Sequence, residues 1–154
     1  MMTKRNWSVP VILVAGSLVL VGALAPDAVV QRRRQMESNN SLVAEALNKA
    51  VKEKNFVEIE DKCKVIQENM NMVPDLFPRG SLAGNSRAKP EIWAKWSEFT
   101  KHPANVTKAA QELAAAAKAG DVASIDVKFK ALGEACKACH TNFRAPKPMV
   151  EEFR

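Results

Sequence analysis

Apolar positions along this 154-residue chain recur at steps of three and four over four separate stretches, the spacing of amphipathic helices. The first stretch runs from about Asp27 to Val51, with Leu42, Val43, Ala46, Leu47 and Ala50 as its stripe after an arginine-rich start. A break at Lys52 to Asn55 separates it from a second stripe of Phe56, Ile59, Cys63, Ile66, Met70 and Val73, which Pro74 ends. The third stretch opens at Pro90, passes Ile92, Trp93, Trp96 and Phe99, and resumes after Pro103 with Val106, Ala109, Ala110, Leu113 and Ala117 before Gly120 stops it. Pro103 is expected to kink this helix or split it in two. The fourth runs from about Val122 through Ile125, Phe129, Leu132, Cys136, Cys139 and Phe143 to Ala145-Pro146. Short or moderate connections favour an antiparallel up-down-up-down four-helix bundle, an all-α fold.

The N-terminus follows a different pattern. Lys4 and Arg5 precede an uncharged run from Asn6 to Pro26, a basic region followed by a long apolar one. This predicts a hydrophobic helix ahead of the bundle, so that residues 1–26 are a signal peptide or an uncleaved signal anchor and residues 27–154 the folded domain. Ala23-Leu24-Ala25 resembles a cleavage site, but Pro26 would follow the cut, where proline is poorly tolerated. The reading therefore favours a retained anchor, at the lower end of what spans a bilayer, with Lys4 and Arg5 in the cytoplasm and the domain in the periplasm, attached to the inner membrane by residues 6–26.

Composition agrees with helices: the chain has six Gly and no Tyr, and Pro and Gly concentrate in a loop between residues 73 and 90. The formal charge of +6 falls to +4 when Lys4 and Arg5 are set aside. That excess is too small to point to nucleic acid as a partner.

The chemistry lies in Ala135-Cys-Lys-Ala-Cys-His140, a CxxCH. Residues i and i+3 share one helix face, so Cys136 and Cys139 can bond two vinyl groups along one porphyrin edge while His140 offers its imidazole to the iron. The expected cofactor is one haem c, bound through thioethers. A zinc site would need about four ligands, and Cys63 and His102 are remote and isolated; a thioredoxin-like pair would need a βαβ context that is absent. Cys63 reads as a small buried hydrophobe, His102 as a surface residue beside Pro103, and Met70 and Met72 as packing residues. Because the fourth stripe carries both cysteines, the haem belongs inside the bundle.

The sequence resembles the class II c-type cytochromes, the cytochrome c′ and cytochrome c-556 family. The likeness is carried by Arg34-Gln35, by Leu76-Phe-Pro-Arg-Gly-Ser81, by Ala88-Lys-Pro-Glu-Ile-Trp93, and by Gly133-Glu-Ala-Cys-Lys-Ala-Cys-His-Thr-Asn-Phe-Arg144 close to the C-terminus. It implies a haem between the helices, often a homodimer, and a role in periplasmic electron transfer or in binding small gases. It makes His140 the proximal ligand, Cys136 and Cys139 the anchors, Arg144 the cation one turn beyond the histidine, and Arg34 and Gln35 the pair that contacts the propionates.

In low-spin members of that family a methionine three residues after the Arg-Gln pair binds iron, and in high-spin members a non-ligating side chain caps an empty site. Here that position is Ser38, which predicts five-coordinate iron. Met36 lies two residues, about 200°, from Ser38 round the helix and could ligate only if the register were shifted. Two functions remain: an electron carrier with periplasmic redox partners, or a module that binds or scavenges NO or CO. Enzymatic turnover is not expected, because no distal acid-base pair is recognisable.

Overall fold

In a computed structural model, residues 26–82 and 86–146 are described, and they form the all-α, antiparallel up-down-up-down four-helix bundle that the hydrophobic periodicity predicts. The hydrophobic N-terminal segment, apart from Pro26, lies outside the described residues. Among those described, no helix is long and apolar enough to cross a membrane. Helix α1 spans Pro26–Glu53 and α2 Phe56–Met72; a 3-10 turn covers Pro74–Leu76. The third arm of the bundle is built from α3 (Glu91–Ala94), α4 (Trp96–Phe99) and α5 (Lys101–Lys118), and α6 (Val122–Phe143) completes it.

The turns follow from their end residues. Lys54 takes a left-handed φ of 55°, and the Asn55 amide N–H reaches back to the Ala50 carbonyl at 2.9 Å, which closes α1. Asn55 then caps α2 by accepting from the Glu58 N–H and donating to the Glu58 carboxylate. At the other short turn Gly120 adopts a φ of 65°, a conformation glycine takes without Cβ strain, and Asp121 caps α6 through the Ser124 N–H.

The third arm corrects the expectation about Pro103. The chain breaks at Lys95, with φ −118° and ψ 43°, and α4 ends at Thr100, which precedes α5 without a side-chain capping bond and donates its hydroxyl back to the Trp96 carbonyl. Pro103 falls in the first turn of α5, where a missing N–H leaves no hydrogen bond within α5 unmade, so it starts the helix instead of kinking it.

A closed aliphatic core joins Leu47, Ala50, Ile59, Cys63, Ala110, Leu113, Ile125 and Leu132. Leu42, expected on the α1 stripe, is 63% exposed, because the inward line runs through Val43, Leu47 and Ala50 and leaves Leu42 on its flank. A second cluster of Val73, Ile92, Phe99 and Phe143 forms at the other end, with Met36, Met70, Phe77 and Cys139 packed on it. Helices α2 and α5, α5 and α6, and α1 and α2 pack along their lengths, whereas α1 meets α6 sparsely. The space between those two helices is where the site lies.

Candidate functional site

Helix α6 carries Cys136, Cys139 and His140 in unbroken helical conformation, so the three side chains project from adjoining positions on one face. All three line a cavity of about 390 Å³, within the usual range for small-molecule sites. Its walls are mostly apolar, with Ile66, Met70, Val73, Ile92, Phe99 and Phe143 prominent, and Arg34, Arg87 and Arg144 also border it. Both cysteines are free thiols. Burial raises the Cys136 pKa, and burial, reinforced by Cys136, pushes Cys139 up to about 11, so both are protonated at neutral pH and poor nucleophiles unaided. Burial and then the Arg87 charge lower the His140 pKa, which keeps the imidazole neutral, as a metal ligand must be.

The structure brings Arg34 and Arg144 to the same cavity as the CxxCH, but not Gln35 or Ser38, which are exposed and do not line it. Met36 does line it and packs on the aromatic cluster. The reason is the direction of α1. Val29, Val30 and Arg33 are buried at one end, Val43, Leu47 and Ala50 at the other, and steps of three and four between them pass through Met36 and Asn40. Ser38, about 200° from Met36, faces away. The register anchored on Arg34 and Gln35, which aimed Ser38 at the site and Met36 outward, is corrected accordingly.

Arg33 was missed by the sequence reading, although a charge on an apolar stripe is itself a signal. Its guanidinium donates to the carbonyls of Leu76 and Ser81 and to the Ser81 hydroxyl, and lies 4.1 Å from the centre of the Phe77 ring. Burial lowers its pKa to about 10, still well above neutrality. Arg33 therefore fixes the loop from Leu76 to Ser81 against α1, and the Trp93 indole adds a 2.9 Å hydrogen bond to the Phe77 carbonyl. The segment after the loop is strapped to the end of α6: Arg87 donates through Nε and Nη2 to the Ala145 carbonyl, and the Lys89 N–H to that of Phe143. Arg144 forms an ion pair with Glu37, joining α6 to α1 at the cavity.

The remaining candidates fall where packing puts them. Cys63 is fully buried, and burial, with Glu60 nearby, pushes its thiol up to about 12. His102 is not a plain surface residue: it is half-buried, and its ring meets Phe143 edge-on at 5.4 Å, because Pro103 begins α5 instead of an exposed bend. Met70 lines the cavity and Met72 is exposed.

The donor set fits a covalently held haem. Two free thiols at i and i+3 sit with a neutral imidazole on one wall of an apolar cavity, and the arginines bordering it suit two carboxylates.

Comparison with known proteins agrees. The family model described as Cytochrome C' matches residues 27–144. A cytochrome c′ from Rhodospirillum rubrum is 34% identical over 145 residues, 92% of this chain and 99% of its own. A cytochrome c-556 from Rhodopseudomonas palustris is 30% identical over 143 residues, covering 86% of this chain and 95% of the relative. Among solved structures, the cytochrome c′ from Thermochromatium tepidum superposes with a TM-score of 0.70 at 26% identity, covering 80% of this chain and all of that one. A nitric oxide complex of a variant cytochrome c prime from Alcaligenes xylosoxidans gives 0.72 at 25% identity, covering 82% of this chain and all of that one.

Proposed function

We propose, from the premise that this chain belongs to the cytochrome c′ family and carries one c-type haem, that it is a periplasmic electron carrier in which His140 and Met36 would be the side chains offered to the iron. The observation that carries this reading is the placement of Met36 on the wall of the cavity that holds Cys136, Cys139 and His140. When bound, the haem iron supplies one-electron chemistry between the ferric and ferrous states.

The chain's own residues set the conditions for that exchange. Cys136 and Cys139 would hold the group by thioethers, and His140 would offer it an imidazole whose pKa burial lowers. Met36 brings a soft thioether from α1. The apolar lining excludes water and lowers the local dielectric, which tunes the potential. Arg34 would offer a guanidinium fork to a propionate, while Arg144 is already paired with Glu37 at the cavity.

Optical spectra test it. The natural protein should be low spin in both oxidation states, and Met36→Leu should convert it to a high-spin form that binds CO freely, whereas Ser38→Leu should leave the spectrum as it was. A high-spin natural protein whose spectrum Met36→Leu does not alter overturns Met36 ligation. That result would favour a gas-binding module, the reading supported by the nitric oxide complexes solved for the Alcaligenes relative.

A further inference from the structure

Polar groups buried beside an apolar cavity are costly unless hydrogen-bonded. Asn69 of α2 is 6% exposed, and its Nδ2 donates to Oδ1 of Asn40 on α1 over 2.7 Å. That bond sets the orientation of the Asn40 amide. With Oδ1 committed to Asn69, the Nδ2 donors remain for the cavity that Asn40 lines.

The other polar side chains that α1 sends to this cavity are engaged elsewhere or exposed. Arg33 is spent on Leu76 and Ser81, and Glu37 is an acceptor paired with Arg144. The Ser41 hydroxyl donates to the Glu37 carbonyl at 3.1 Å, and Arg34 is exposed. Asn40 stands one helical turn beyond Met36, and residues so spaced have Cβ atoms about 5–6 Å apart. An amide N–H is thus within a side chain's reach of the Met36 thioether and of anything that takes its place.

We propose that Asn40 would be the hydrogen-bond donor to a diatomic π-acceptor gas taken up on the Met36 side of the cavity, and that Asn69 is the positioning residue that holds the Asn40 amide in that orientation. The proposal rests on the reading that this cavity holds the haem. A donated N–H stabilises the negative charge that back-donation places on the outer atom of such a ligand, so it favours retention of the gas and weakens the bond between its two atoms.

Carbon monoxide is the probe, used on the haem-loaded full chain in a Met36→Leu background, whose sixth position accepts CO whether or not Met36 ligates in the natural protein. The spectrum of that single variant reports on Met36 ligation separately. Adding Asn40→Leu should move the C–O stretching band to higher wavenumber and speed CO release roughly threefold to tenfold, the worth of one hydrogen bond. Adding Asn69→Leu instead should broaden or split the band, because the amide keeps its donors but loses its fixed orientation. A merely structural role for the pair would move melting temperature and leave the band in place. An unshifted, single band in both double variants overturns the proposal. Should the Asn40→Leu protein fail to take up haem, Asn69→Leu decides, and a single band at the parent position counts against it.

Discussion

The two ends of the bundle solve opposite problems. At the closed end, Ala50, Ala110, Ala116 and Ala117 let backbones approach, and Leu47, Ile59, Cys63 and Leu113 fill the gaps so fully that each is at most 1% exposed. At the open end the small residues give way to Phe77, Phe99 and Phe143, whose rings meet edge-on at 4.9 and 5.3 Å, and α1 parts from α6 around the cavity. Every buried polar side chain among the described residues, Arg33, Asn69 and Ser81, belongs to the open end. One end repays chain ordering with aliphatic contact, and the other uses hydrogen bonds to hold a shape that its own side chains do not fill. The contrast makes separable predictions, because changes at the open end should act on the haem and changes at the closed end on stability.

The largest effect should come from the open end. In Cys136→Ala with Cys139→Ala, acid-acetone extraction should find no pigment attached to the polypeptide, whereas the natural protein should keep all of it. Far-ultraviolet circular dichroism should retain most of the helical signal, since Cys136 only packs on the edge of the closed core and Cys139 lies with the other cluster. Collapse of that signal would mean that the haem, not the aliphatic end, organises the fold. Next in size is Leu113→Ala. Leu113 is fully buried between α2 and α6 contacts of α5, so the change should cost about 2–5 kcal/mol, seen as a lowered denaturation midpoint. The haem spectrum should not move. A changed spectrum would show that the two ends are mechanically coupled.

The same contrast explains how much was legible in the sequence. The closed end was readable because its code is periodic: Ile59, Cys63 and Ile66 recur at helical spacing, and burial follows from spacing. The CxxCH was readable because its chemistry needs that spacing on one helix face. Three things escaped. The α1 register depends on which residues the partner helices cover, and a local Arg34-Gln35 match outweighed the inward line through Arg33, Met36 and Asn40. The break at Lys95 has no proline or glycine to announce it. The Asn40 and Asn69 pair joins residues 29 positions apart, and neither amide declares its partner locally. In each case the missing information was tertiary.

The smallest effect tests whether the closed end titrates independently of the site. Asp121 caps α6 beyond the aliphatic core, and hydrogen bonds from the Ser124 side chain and backbone hold its carboxyl below the usual carboxylate value. A group whose pKa is depressed on folding contributes stability that is fully present above its unfolded value, near 4, and is lost as the pH falls through the folded one. Asp121→Asn keeps a good cap and removes the titration. The stability difference between the natural protein and this variant should therefore be constant from pH 5 to 7 and shrink steadily below pH 4, as followed by urea midpoints. Measured again with Cys136→Ala and Cys139→Ala added, the shrinkage should have the same size, because sites that share no partners add. A pH-independent difference would remove the charge of Asp121 from the account of α6. A difference that depends on the haem would instead show that α6 passes the state of its cysteine end back to its cap, and the two halves of the bundle would have to be treated as one.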